Sequence, residues 1–419
     1  MRAYNGCVAV YLKRMIDAVL AETLLGLPAV MVSGPRACGK TTTARGHVKQ
    51  VVRLDRQAEA FAYFADPDDA LRQTREPVLF DQWQRVPEVL GAVKRALDDE
   101  PFKPGRFILT GSALPLDGAD SWLGTGRVVD LRMDPLTRRE IEGRVGGPLF
   151  LDRVLSGTLT DFAAPSPATI SSYVDWALLG GFPEVCLDVA PSHKPRWMAG
   201  YIERLIAHDV RELAGPRDAN ALRRYLTALA VNTAGLVQNK TLYELADIGA
   251  STARVYDQLL RNLLVLDVLP AWSSNRLKRL IDTPKRYLVE ASLVASLLDL
   301  TAESVFADGN MLGRIVETFV VGQLRPETQV SQNHPRLYHL RDKDSRHEID
   351  VVVEYAANKV AAIEIKAGAT PEAKDFRHLR WLRDTLGERF VRGVLLHSGP
   401  VPVQVDDRLI AAPISTIWL

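Results

Sequence analysis

The chain is poor in cysteine. Three occur in 419 residues, Cys7, Cys38 and Cys186, widely spaced and odd in number. That excludes a disulfide framework, argues against a cysteine-based zinc site and fits a reducing cytoplasm. No run approaches the roughly 18 uninterrupted apolar residues of a membrane span, and the VAVYL stretch near the start is too short for a secretory signal. Net charge is also scarce, +1 overall, so nucleic-acid binding would have to come from local patches rather than a global field. Internal repeats and low-complexity tracts are missing too. What remains is 47% hydrophobic and 25% charged, the composition of a globular protein of about two or three domains.

An α/β organisation follows from the pattern along the chain. Through residues 1–165, apolar strands PAVMVS (28–33), KQVVRLD (49–55), PVLFD (77–81) and RFILTG (106–111) alternate with helical stretches, which implies a parallel sheet flanked by helices. AAPSPATISS (163–172) reads as a linker. Residues 166–300 are mostly helical. Within them, KTLYELADIGASTARVYDQLLRNLLVLDVLPAW (240–272) has helix-turn-helix spacing, with Ser251 and Thr252 as an expected N-cap and VLDVLPA placed as a wing. Residues 301–419 return to α/β: a helix at 311–324, strands in LYHLR, EIDVVVEY, KVAAIEIKA and FVRGVLLHS, and a helix at 371–386.

GPRACGKT (34–41) matches the phosphate-loop pattern G-x-x-x-x-G-K-[ST] at every fixed position, after a strand and opening a helix. The expected nucleotide-binding set is Gly34, Pro35, Arg36, Ala37, Cys38, Gly39, Lys40, Thr41 and Thr42. Backbone N–H groups and the helix N-terminus would cradle phosphates of ATP. Lys40 would bridge the terminal phosphates and the Thr41 hydroxyl would ligate Mg²⁺. Asp81 ends the strand VLFD and is the expected second magnesium residue. Thr110, ending RFILT, would sense the γ-phosphate, position water or cap a turn.

GPRACGKTT, VLFDQWQRVPEVL, RFILTGSA, GTGRVVDLRMDPLTRREI, LLGGFPEV and EIDVVVE…AIEIKAG occur in this order. The whole resembles the prokaryotic AAA-type ATPases with a C-terminal DUF4143 region. The resemblance implies an AAA-like P-loop domain, a helical and winged-helix middle, and a module similar to PD-(D/E)xK nucleases. It also implies a homo-oligomer, such as a ring, in which a neighbour's arginine completes each nucleotide site; Arg127 in GTGR is the candidate, with a structural salt bridge or an exposed loop arginine as its alternatives. The family pattern places a glutamate after the aspartate, where this chain has Gln82. Glutamine keeps size and hydrogen bonding but removes the carboxylate that accepts water's proton, a loss worth about 10²–10⁴-fold in rate. A slow or dead ATPase, substitution by Glu88 or another acid, and an introduced Glu-to-Gln trap all fit; a glutamine also orients water in some GTPases.

HEIDVVVEYAANKVAAIEIKAG (347–368) reads as a hairpin centred on Ala357. Asp350 then lies opposite Glu364, Glu348 opposite Lys366, and Val351, Val353, Ile363 and Ile365 point to the core, leaving a charged face on a half-buried hairpin. Two carboxylates and a lysine on one face is how a nuclease holds Mg²⁺ and steadies the attacking water. Asp350 and Glu364 would be the ligands and Lys366 the water-activating cation. By resemblance, Glu317 is a further metal ligand. Cross-strand ion pairs are the plainer alternative, and modules of this kind also serve for binding alone. His334, His339 and His347 lack metal-ligand spacing. The basic run Arg276, Lys278, Arg279, Lys285 and Arg286 either contacts phosphates or forms a solvated face. The leading expectation is a cytoplasmic ATPase coupled to a DNA-binding, nuclease-like module. A nucleotide-gated, non-cleaving binding protein and a protein-remodelling machine are the rivals.

Overall fold

The computed structural model describes residues 11–113, 126–156, 162, 164–209, 218–274, 283–342 and 346–419. Cys7, Arg276, Lys278, Arg279 and the first letters of GTGR lie outside them.

The first region is a five-stranded, all-parallel sheet. Its strands are β1 (Ala29–Ser33), β2 (Gln50–Arg53), β3 (Val78–Asp81), β4 (Phe107–Gly111) and β5 (Val128–Arg132), in the order β2-β3-β4-β1-β5. Both faces of β1, β3 and β4 are buried, which is why these strands read as unbroken apolar runs. Helices cover the two faces. Leu20 and Ala44 pack with Val30, Val32, Leu79 and Ile108 on one side; Val89, Leu90 and Val93 pack with Met31, Phe80 and Leu109 on the other. The order matters for function because β4 lies between β1 and β3, so Thr110 sits beside Asp81 and one strand from the phosphate loop.

The middle is helical and ends in a winged helix. Helices Asn239–Leu245 and Ala250–Asn262 are followed by an antiparallel pair, β6 (Leu266–Leu269) and β7 (Lys285–Leu288). The second helix starts at least two residues earlier than its sequence suggests. Gly249 is its N-cap, without a side-chain cap, and Ser251 and Thr252 lie exposed in its first turn. The stretch expected as a linker is docked instead: Ser166 and Ala168 are buried and the Ser166 N–H donates to the Pro400 carbonyl at 2.9 Å.

The last region is a six-stranded mixed sheet. Its strands are β8 (Arg336–Arg341), β9 (Glu348–Glu354), β10 (Val360–Lys366), β11 (Phe390–His397), β12 (Val403–Gln404) and β13 (Leu409–Pro413), in the order β12-β13-β11-β10-β9-β8. Helix Gly309–Val330 covers one face and helix Arg377–Leu386 the other. The hairpin is therefore buried on both faces, not half-buried, because the second helix covers the face expected to be charged. One apolar core runs continuously from Tyr173 and Leu229 in the middle region to Phe319, Val351 and Trp418.

Candidate functional site

At the first site the phosphate loop leaves β1 and enters helix Lys40–Arg45. Gly39 has φ 103°, open to glycine and strained for other residues. A Cβ at Gly34 would lie 2.1 Å from the Met133 carbonyl oxygen, so that position too must be glycine. Lys40 is buried and donates to the carbonyls of Gly34 and Pro35 at 2.9 and 2.8 Å. Burial, the dominant cause, pulls its ammonium below the ordinary lysine range. A cation that is desolvated and held by two carbonyls and, more distantly, the Cys38 sulfur is one that an anion would stabilise.

The Thr41 and Thr110 hydroxyls both donate to the same Asp81 carboxylate oxygen, each at 2.7 Å. Three residues from three separate segments thus converge on one point. A threonine hydroxyl beside a carboxylate, next to the phosphate loop, is a hard-oxygen donor set that fits Mg²⁺. Thr41 and Asp81 would hold the ion, which supplies charge neutralisation of the phosphates when bound. Gln82 follows with φ 63° and ψ 48°, a left-handed backbone costing roughly 1–2 kcal/mol outside glycine. Its side-chain oxygen accepts from the Gln84 amide at 3.0 Å, and the same amide group reaches the Ser112 hydroxyl at 3.2 Å. Glu88 is exposed at the first residue of the next helix.

Sequence reasoning missed the groups that brace this site. Buried Arg14 donates to the Cys38 carbonyl at 2.8 Å and the Asp134 carbonyl at 2.7 Å, and pairs with Glu140 at 2.9 Å. Glu140 also closes a capping box with Thr137. The motif RMDPLTRREI therefore serves to clamp the loop. Beside the loop, a cavity of about 430 Å³ is lined by Arg36, Ala37, Arg196, Trp197, Tyr201 and Arg204, among others. The Trp197 and Tyr201 rings stack with centroids 5.6 Å apart. No motif marks helix Lys194–Arg204, so nothing in the sequence signalled these side chains.

Arg127 lies at the other end of the sheet. It precedes β5 and binds Asp98 at 2.6 Å, half-exposed, whereas the far end of β5, Arg132, is level with Ser33 beside the phosphate loop. It does not join the nucleotide site of its own chain.

The C-terminal cluster is built differently. Pairs from Glu354↔Val360 to Val351↔Ile363 set the hairpin register that its turn centre implies; beyond them, the Asp350 side chain accepts from the Ile365 N–H. Pairing of β9 with β8 shifts by one residue between Tyr338 and Leu340. Strict alternation would put Ile349 on the face of Val351. Instead Ile349 packs with Val352 under helix Arg377–Leu386, while Val351 and Val353 face helix Gly309–Val330. The bulge reverses the alternation, and Asp350 meets Glu317 of that helix across a shared lysine.

That lysine is Lys285, from β7. It is 1% exposed and contacts Glu317 at 2.8 Å, Asp350 at 3.1 Å and Glu348 at 3.9 Å. Tyr287, two residues on, donates to the same Glu317 oxygen at 2.7 Å, and the Ile365 N–H donates to Asp350 at 2.9 Å. Burial works against the Lys285 charge, but Glu317 and Asp350 outweigh it and hold the ammonium well above its ordinary range. Asp350 is lowered because Lys285, then the Ile365 N–H, overcome its burial. Glu317 rises to about 7, from burial and then Asp350. Glu364, buried beside Asp350, is held well above the usual carboxylate range for the same two reasons, and one of its oxygens lacks a hydrogen-bond partner.

The expectation of Glu317, Asp350 and Glu364 as a metal set does not fit this arrangement. The position between Glu317 and Asp350 holds an ammonium, and among the described residues no group of three or more His, Cys, Asp and Glu side chains is arranged to hold a metal ion. Lys366 is half-buried at the end of β10. The expectation of Lys285 and Arg286 on a basic surface is likewise overturned: both are buried, the first among carboxylates and the second against Asn239 and Asp257.

Comparison with known proteins agrees with the fold. An AAA domain profile matches residues 27–142 and the DUF4143 profile, a domain of unknown function, matches 312–417. Between them, residues 170–304 match DUF8612, another domain of unknown function. In this order the three matches make the chain similar to AAA-type P-loop ATPases with a C-terminal DUF4143 region. An uncharacterised protein of Mycobacterium tuberculosis and another of Mycobacterium bovis are each 28% identical over 410 residues, 97% of this chain and 84% of theirs. Among solved structures, a Walker-type ATPase of Pyrococcus abyssi is similar at 15% identity and a TM-score of 0.41, over 69% of this chain and 96% of that one. No helix among the described residues is long and apolar enough to cross a membrane.

Proposed function

We propose that this protein is a nucleotide-gated switch that binds ATP with Mg²⁺, hydrolyses it slowly because Gln82 stands where a proton acceptor is needed, and couples that state to a DNA-docking unit. The observation carrying the reading is the convergence of Thr41 and Thr110 on Asp81 beside Lys40. These residues bind and orient; Gln82, held by Gln84, orients water through its amide and takes no proton from it. Arg36, Arg196 and Arg204 outnumber Glu184 in the neighbouring cavity and leave it net positive for the nucleotide.

Docking on DNA is supported by the winged helix. Ser251, Thr252, Arg254, Val255 and Gln258 form the exposed face of its second helix, the element that enters the major groove in such folds. A homo-oligomer belongs to the same reading. Because Arg127 lies away from its own phosphate loop, its use at a nucleotide site would require a neighbouring subunit. A cytoplasmic setting is supported by the free thiols of Cys38 and Cys186. Comparing ATP turnover of the chain with Gln82→Glu tests the core of this: the glutamate variant should be faster by about 10²–10⁴-fold, and equal rates would refute it.

A further inference from the structure

Nucleases of the resembled type work through a divalent cation held by acidic side chains, and the hairpin carries residues of that kind. The geometry points to a different occupant. Lys285 reaches in from the wing strand β7 and makes close contacts with Glu317 and Asp350 at 2.8 and 3.1 Å. Those two carboxylates are also the ones that would face a metal. Their remaining capacity is partly used: the Tyr287 hydroxyl donates a second bond to the same Glu317 oxygen, and the Ile365 N–H donates to the other Asp350 oxygen. Lys285 and Tyr287 are each 1% exposed, and Tyr287 and Leu288 of the same strand, with Val289 just after it, lie in the core shared with helix Gly309–Val330. The lysine is thus packed in place, not resting on a surface.

We propose that the Lys285 ammonium permanently holds the place of the divalent cation in the C-terminal module, so that the module carries no resident metal and its acidic cluster locks the wing to the sheet. A buried carboxylate pair needs one positive partner. A lysine anchored by the fold supplies it at every metal concentration, and while it stays there a divalent ion is repelled by its charge and excluded by its volume. Cleavage of a phosphodiester by the metal-assisted route is therefore not a property of this module. The inference is independent of DNA docking, which requires no metal and stands or falls on its own test.

The experiment is Mn²⁺ titration of the nucleotide-free full-length protein, followed by calorimetry and by the electron paramagnetic resonance signal of free Mn²⁺. Wild type and Asp350→Asn should give the same isotherm. Lys285→Met, which keeps the volume and removes the charge, should gain one site per chain, at least tenfold tighter than any in wild type, and Lys285→Met/Asp350→Asn should lose it. A wild-type site that Asp350→Asn or Glu317→Gln removes would overturn the proposal, as would a folded Lys285→Met protein that gains no site. If Lys285→Met does not fold, the wild type and Asp350→Asn comparison decides alone: equal isotherms uphold the proposal and a lost site refutes it.

Discussion

Lys40 and Lys285 are both buried, yet their surroundings push them in opposite directions. Lys40 donates to loop carbonyls, and burial lowers its pKa. Lys285 sits between two carboxylates that raise its pKa despite burial. A buried ammonium with no carboxylate in direct contact is poised for an anion, whereas one already paired is part of the framework. The difference separates a binding site from a structural lock within one chain, although both sites carry motifs associated with Mg²⁺.

The largest expected effect tests the first half of the comparison. Gln82→Glu should raise ATP turnover by about 10²–10⁴-fold with nucleotide affinity little changed, read by phosphate release and nucleotide titration. Next comes the exchange of roles between the lysines. Lys285→Ala leaves Glu317 and Asp350 uncompensated in the core and should destabilise the protein by about 3–5 kcal/mol in denaturant unfolding. Lys40→Ala should leave the ligand-free protein at least as stable and abolish ATP binding. If the two variants lose stability equally, the comparison is broken.

A smaller effect follows from Glu290, half-buried and accepting from the Gly181 N–H at 3.1 Å. Burial, its main perturbation, raises its carboxyl to about 8. A raised carboxyl binds its proton more tightly in the folded state, so its contribution is complete below the unfolded value near 4.5 and is lost as pH climbs through 8. The melting temperature should therefore fall between pH 5 and 9, and Glu290→Gln should fall less over the same range. Arg254→Ala should weaken DNA binding a few-fold and lower the slope of log affinity against log salt by about one. Smallest of all, Arg127→Ala should leave the melting temperature unchanged and reduce turnover only in samples that assemble.

Legibility in the sequence followed locality. Three of the five parallel strands, β1, β3 and β4, stood out because burial on both faces makes apolar runs, and β2 carried a shorter apolar pair; β5 did not, since Val129 and Asp130 are exposed and VVDLR mixes charge into the strand. The phosphate loop and Asp81 were readable from short motifs, and the hairpin register from a single turn. The bulge that turns Asp350 was not readable, because it depends on pairing with β8 rather than on β9 itself. Lys285 was misread for a related reason. It is 65 positions from Asp350 and lies in a run of basic residues, where composition suggests a solvated face, and only the packing of the wing against helix Gly309–Val330 reveals its partners. Arg14 carries no motif at all, and its role appears only when the fold brings Cys38, Asp134 and Glu140 around it.

Counting bound Mn²⁺ per chain with and without ATP tests the contrast between the two sites most directly. One ion per chain in the presence of ATP and none in its absence is the outcome expected when the phosphate loop is the sole divalent-cation site. An ion bound without ATP and lost in Asp350→Asn would contradict it.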